Sequence, residues 1–227
     1  MTKAKILTSI EEISEYLDLV GINYNYTPKR KVLEPSKYSA EYFQACHNGN
    51  YEAKYLIASK NSDFDIQLED SSFFQFTYSS STSIHYSFVH RIELVMSYQD
   101  FVDKYLTEEN IDSIAQEYEM YLSTDKRKAY PCPIRYDVAK SEYKESLHAY
   151  AHLHIGIETD IRIPIDKILT PLEFVDFVIK HIYKEKWDNA YIHKEKFRKL
   201  VESLKKQAID IDINNFSEKE KLQLFIT

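Results

Sequence analysis

Glycine is scarce in this chain: Gly21, Gly49 and Gly156 are the only three among 227 residues. Loops that cradle phosphate with backbone amides need several glycines close together. Neither GxGxxG nor GxxxxGK followed by Ser or Thr occurs, so nucleotide binding through such a loop is excluded. Cysteine is scarcer still. Cys46 and Cys132 lie far apart and outside any CxxC, which excludes a disulfide framework and a cysteine-rich zinc site. No GxSxG marks a serine nucleophile. No run approaches the roughly 18 apolar residues of a membrane helix. The opening MTKAKILTSIEEI lacks the apolar core of a secretory signal. The expectation is a reduced, cytoplasmic protein with no membrane association.

Aromatic residues, by contrast, are plentiful at 14%, with 19 Tyr and 12 Phe. A chain of this length buries roughly 70–75% of its unfolded surface and needs no covalent staple. The net charge of −7 is uneven, because from Lys180 to Lys206 eight lysines and Arg198 stand against four acids. Such a segment suits a nucleic-acid face or a partner-binding helix. It equally suits a solvated helix with pairs such as Glu195–Lys199 and Glu202–Lys206, where interleaved acids blunt attraction to phosphate.

Periodicity predicts one α+β domain over residues 1–227: an antiparallel sheet of about five strands, helices on one face, and an N-terminal helical cap. Thr8-Ser9-Ile10-Glu11 reads as a capping box opening a helix from Ser9 to Val20, which Gly21 ends. Helices follow from near Ser39 to before His47 and from Tyr51 to Ser59, and two more between Ser97 and Leu122 break near Thr107. The basic triplets Lys29-Arg30-Lys31 and Lys126-Arg127-Lys128 fall in loops. Alternation marks strands at Phe73–Tyr78, Ile84–Val89 and Ile134–Val138. Thr170-Pro171-Leu172-Glu173 is the best helix start in the chain, with an N-cap, a proline at N1 and a capping-box glutamate. A basic helical region covers residues 184–207, and Leu222–Ile226 alternates weakly enough to add an edge strand.

Chemistry concentrates in HAYAHLHIGIETDIR, His148 to Arg162. Read as a strand, it turns His148, Tyr150, His152, His154 and Gly156 to one face and Ala151, Leu153 and Ile155 to the other. A three-residue loop, Glu158 to Asp160, pairs Ile155 with Ile163 and sets Gly156 opposite Arg162, leaving room beside His154. Arg135 and Asp137 join this polar face from their own strand, with Gln75, Thr77 and His85 as further neighbours.

Such a face suits metal-free phosphodiester cleavage. His152 and His154 do acid–base work, Arg135 and Arg162 hold phosphate, Asp137 orients a histidine, and His148 and Tyr150 contact substrate. The His-x-His spacing also suits a divalent metal, with Asp137 or His148 as third ligand, although the chemistry requires no cofactor. A purely structural role, with imidazoles stacked on aromatic neighbours, is the third reading.

The runs AHLHIG, RIP at Arg162–Pro164 and LTPLEFVDFVIKHIY at Leu169–Tyr183 resemble the C-terminal signature of a bacterial family known as domain of unknown function 2290. DSSFFQF at Asp70–Phe76 resembles its earlier block. The likeness covers about 70–183 and implies bacterial, defence-type gene neighbourhoods without an assigned activity. More loosely, Arg135-Tyr136-Asp137 with a later HxHxG is similar to small toxins of the TumE type, although the charged loop Lys140–Leu147 is longer here. The functional expectation is a nuclease-like toxic effector of a defence or toxin–antitoxin pair. The alternative is a non-catalytic accessory or immunity-type subunit that binds a protein partner from the same operon.

Overall fold

The computed structural model describes residues 1–92, 97–125, 131–157, 161–212 and 214–222, with backbone alone at 124–125 and 205–207. The chain forms two compact units, one of residues 1–91 with 132–227 and one of residues 92–131.

Helix α1 (Lys3–Val20) opens the larger unit, capped by Thr2 and closed by Gly21 at φ 81°. It starts well before Thr8-Ser9-Ile10-Glu11, the capping box that the sequence predicts at its start. Ser9 does cap a helix, but a different one: its Oγ accepts the Leu172 N–H at 2.9 Å. Strand β1 (Tyr24–Tyr26) follows, then helices α2 (Ala40–His47) and α3 (Tyr51–Lys60), whose N-caps Ser39 and Asn50 each accept a first-turn amide. Next come β2 (Ile66–Leu68), β3 (Phe73–Ser80) and β4 (Ser83–Val89).

The smaller unit holds α4 (Tyr98–Tyr105) and α5 (Ile114–Asp125). Thr107 and Asn110 bond at the predicted break, and Phe101 packs 5.3 Å from the ring centres of Tyr118 and Tyr121.

The chain then returns to the sheet through β5 (Ile134–Ala139), β6 (Ala151–Ile155) and β7 (Arg162–Pro164). After β8 (Lys167–Ile168) come α6 (Pro171–Ile182), α7 (Lys184–His193) and α8 (Glu195–Gln207), and β9 (Ile209–Asp210) pairs with β8. Helix α6 begins as predicted, with Thr170 and Glu173 exchanging the two capping-box hydrogen bonds.

Strands β1 to β7 lie side by side in sequence order, every neighbour antiparallel. The sheet therefore has seven strands rather than about five. The two unpredicted strands, β1 and β2, are three residues each, too short for alternation to register. Phe76, Tyr86, Tyr136, Leu153 and Ile163 follow one another across the strands and carry the core face. Helices α1, α6, α7 and α8 cover it: Phe174 lies 5.8 Å from Tyr86, and Tyr16 and Trp187 both donate to Asp176 at 2.8 Å. A fully buried apolar side chain such as Phe76, Leu153 or Phe174 contributes about 1.5–3 kcal/mol relative to exposure.

The expectation of helices on one face only also needs correction. Tyr42 donates to Gln75 at 2.7 Å and Tyr55 stacks 5.8 Å from Phe73, so α2 and α3 sit on the opposite face. Among the described residues no helix is long and apolar enough to cross a membrane. The Lys126–Lys128 triplet, the Glu158–Asp160 loop and the tail from residue 223 lie outside the described residues.

Candidate active site

The antiparallel registers stack two polar rows across the sheet. One reads Thr77, His85, Asp137, His152 and Pro164, and the next reads Gln75, Ser87, Arg135, His154 and Arg162. Pairing places His154 opposite Arg162, and Leu153 opposite Ile163. The predicted hairpin is therefore slipped by two residues. Because side chains repeat every second residue, the slip keeps both faces intact while lengthening the loop. Arg162 consequently stands opposite His154 rather than Gly156, whose place is set by its backbone. Gly156 sits at φ 94°, in the left-handed region, and donates its N–H to the Pro133 carbonyl at 2.9 Å.

Asp137 is the hub. Its Oδ1 meets His85 Nδ1 at 2.5 Å, and its Oδ2 accepts from Arg135 Nε at 2.8 Å. His154 Nε2 lies 3.4 Å and His152 Nε2 lies 3.9 Å from the same Oδ2. Burial alone would raise the Asp137 carboxyl. His85, the hydrogen bond from His154 and Arg135 together overcome it and hold the group well below the usual carboxylate range.

His152 is 2% exposed. Its Nδ1 faces the Ala149 carbonyl at 3.2 Å, and since a carbonyl only accepts, the ring proton belongs on Nδ1. Burial, helped by His154 and His148 and opposed by Asp137, pushes its pKa down to about 4. The neutral ring presents a bare Nε2, 3.0 Å from Nε2 of His154. Two imidazole nitrogens approach this closely only with a proton or a cation between them.

A cavity of about 690 Å³ opens over this face. On the sheet side it is lined by His85, Arg135, His154 and Arg162, and on the helical side by Tyr42, Tyr51 and Lys54. Its described lining carries five cationic or protonatable side chains and no carboxylate, on a chain with 36 acids against 29 bases. Lys54 has no carboxylate partner among the described residues; its ammonium lies 5.9 Å from the Tyr42 ring centre. Burial pushes it below the usual lysine range, and Arg135 adds to that effect against Cys46 and Asp137.

The structure thus brings together Arg135, Asp137, His152, His154 and Arg162. His148 belongs to the preceding turn, its ring 4.9 Å from that of His152 and its Nε2 3.3 Å from Glu142. Tyr150 does not join the polar face. The strand begins one residue later, at Ala151, and Tyr150 is 5% exposed in the apolar core beside Tyr143. Sequence reading missed Lys54, although a signal existed: it shares a helical stripe with the buried Tyr55 and Ala58, where a lysine is out of place.

Fold and site define a meandering antiparallel sheet with helices on both faces and a cationic cavity against one of them. The chain belongs to the family described as uncharacterized conserved protein (DUF2290), whose model matches residues 20–225. No curated protein and no solved structure matches the chain.

Proposed function

We propose that this protein binds a nucleic-acid backbone in the cavity and hydrolyses a phosphodiester there. The observation that carries the reading is the lining itself, five cationic or protonatable groups without a carboxylate in an acidic chain. Arg135 and Arg162 offer planar forks, and Lys54 a point charge, to phosphate oxygens. His85 is oriented through Nδ1 by Asp137, as a catalytic imidazole is, which leaves its Nε2 to carry protons. The Asp137–His152–His154 cluster activates water. Its oxygen bonds to phosphorus, one phosphorus–oxygen ester bond breaks, and the proton released ends on the departing oxygen. The setting expected from the sequence resemblance, a toxic effector in a bacterial defence or toxin–antitoxin pair, is part of this proposal.

The test uses end-labelled single-stranded RNA and DNA oligonucleotides and fluorescence anisotropy across a salt series. Wild type binds, and affinity falls with salt. The Lys54→Met/Arg162→Ala variant binds about tenfold or more weaker, with the slope of log affinity against log salt reduced by about one per lost contact. No binding at low salt, or an unchanged variant, overturns the reading.

A further inference from the structure

The close approach of His152 and His154 beside a carboxylate is costly unless something positive lies between them. We infer that Asp137, His152 and His154 form a divalent-metal site, with Zn²⁺ its first candidate. Three distances carry the inference: 3.0 Å between the two Nε2 atoms, 3.4 Å from His154 Nε2 to Asp137 Oδ2, and 3.9 Å from His152 Nε2 to the same oxygen. In tetrahedral zinc, ligand atoms about 2.0–2.1 Å from the metal lie about 3.3–3.4 Å from one another. The triangle observed brackets that spacing. Just off its plane lies a point about 2.0–2.1 Å from all three corners, the ordinary Zn–N and Zn–O bond length, and closing the longest side by about half an ångström gives the tetrahedral spacing. The three side chains are the described group of His, Cys, Asp or Glu residues whose donor atoms gather closely enough for an ion.

The surroundings fit the same role. His152 Nδ1 is turned to the Ala149 carbonyl, which aims Nε2 at the shared point, as an outer partner does for a metal-bound histidine. The carboxylate is fixed on its other side by His85 and Arg135, and Oδ2 keeps a second lone pair after accepting from Arg135. Two imidazoles and a carboxylate make a borderline donor set that favours zinc and its first-row neighbours over calcium or magnesium, which prefer oxygen. Three protein ligands leave a fourth position for water, the arrangement of catalytic rather than structural zinc. His154 and Arg135 also line the cavity, so the ion would stand at the edge where phosphate is held.

This deepens the phosphodiester reading and rests on it for its chemistry, but ion binding is measured without nucleic acid. The full-length chain, stripped with EDTA, is titrated with Zn²⁺ against a chromophoric chelator and with Co²⁺ in the visible range. The result expected is a single ion per chain and the intense cobalt bands of a tetrahedral N/O site. His154→Ala and Asp137→Asn remove ligands, so each should lower zinc affinity by at least the roughly hundredfold that losing an outer partner can cost. Far-UV circular dichroism checks that the variants fold, and the wild-type cobalt spectrum stands whether or not they do. A wild-type chain that takes up no zinc or cobalt, or uptake unchanged in both variants, overturns the site and leaves a shared proton to bridge the two rings. A chain that binds zinc but neither binds nor cleaves nucleic acid overturns the phosphodiester reading alone.

Discussion

Asp65→Asn is expected to lower the free energy of unfolding by about 3–5 kcal/mol, the usual consequence of removing one partner from a buried ion pair. Lys37 and Asp65 pair at 2.7 Å with side chains 2% and 0% exposed. The carboxylate also accepts from Tyr38 at 2.9 Å and from the Phe76 amide at 2.6 Å, while Lys37 donates to the Phe76 carbonyl at 2.7 Å. Neutralising Asp65 leaves an ammonium in the interior without its counter-charge. A second carboxylate, Asp63, holds Lys29 and Ser39, so the two aspartates tie residues 29–39 to one another and to β3 at Phe76. Urea denaturation at constant slope measures the loss. Lys37→Met/Asp65→Asn should recover a substantial part of it, because the stranded charge is then gone. A single-variant change below about 1 kcal/mol, the scale of an exposed pair, contradicts the assignment. The effect reaches the cavity, since Tyr38 and Tyr42, which these ties position, line it.

Arg135→Ala is expected to cut phosphodiester cleavage by about 10²–10³-fold, the cost of losing one preorganised donor to transition-state charge. Arg135 acts twice. Nε fixes Asp137 Oδ2 at 2.8 Å, and the residue lines the cavity. Arg135→Lys keeps the charge and loses the fork, so it should recover only part of the activity. Initial rates on a labelled oligonucleotide decide the matter, with thermal unfolding run in parallel to separate lost chemistry from lost fold. Full activity in Arg135→Ala would remove the residue from the mechanism.

What the sequence could disclose follows from the range of the forces involved. The start of α6 was legible because Thr170, Pro171 and Glu173 encode it within four positions. The faces of β5 and β6 were legible for the same reason, since alternation is local. Register is not local: β6 and β7 pair two residues away from the predicted match because the longer turn through Gly156 satisfies the same face rule. Ser9 carried a true capping signal for a helix 163 positions away in the chain, which a local reading assigns to α1. Tyr150 followed the alternation on paper, but the strand begins only at Ala151. His85, which alternation places among the neighbours of Asp137, meets that carboxylate from β4, whereas Lys54 reaches the cavity from α3, and only the folded chain shows that it faces Arg135 there.

The proposed activity is phosphodiester cleavage by the His–Asp cluster beside the cationic cavity. Its most direct measurement incubates the purified wild-type chain and its His152→Ala/His154→Ala variant with total RNA and plasmid DNA, with zinc or manganese and with EDTA, and resolves the products on gels. This activity should give shortened RNA or nicked DNA from wild type with metal and intact substrate from the variant; loss of cleavage in EDTA is expected where the cluster works through its ion. Intact nucleic acid in every lane, or equal cleavage by the variant, would contradict it.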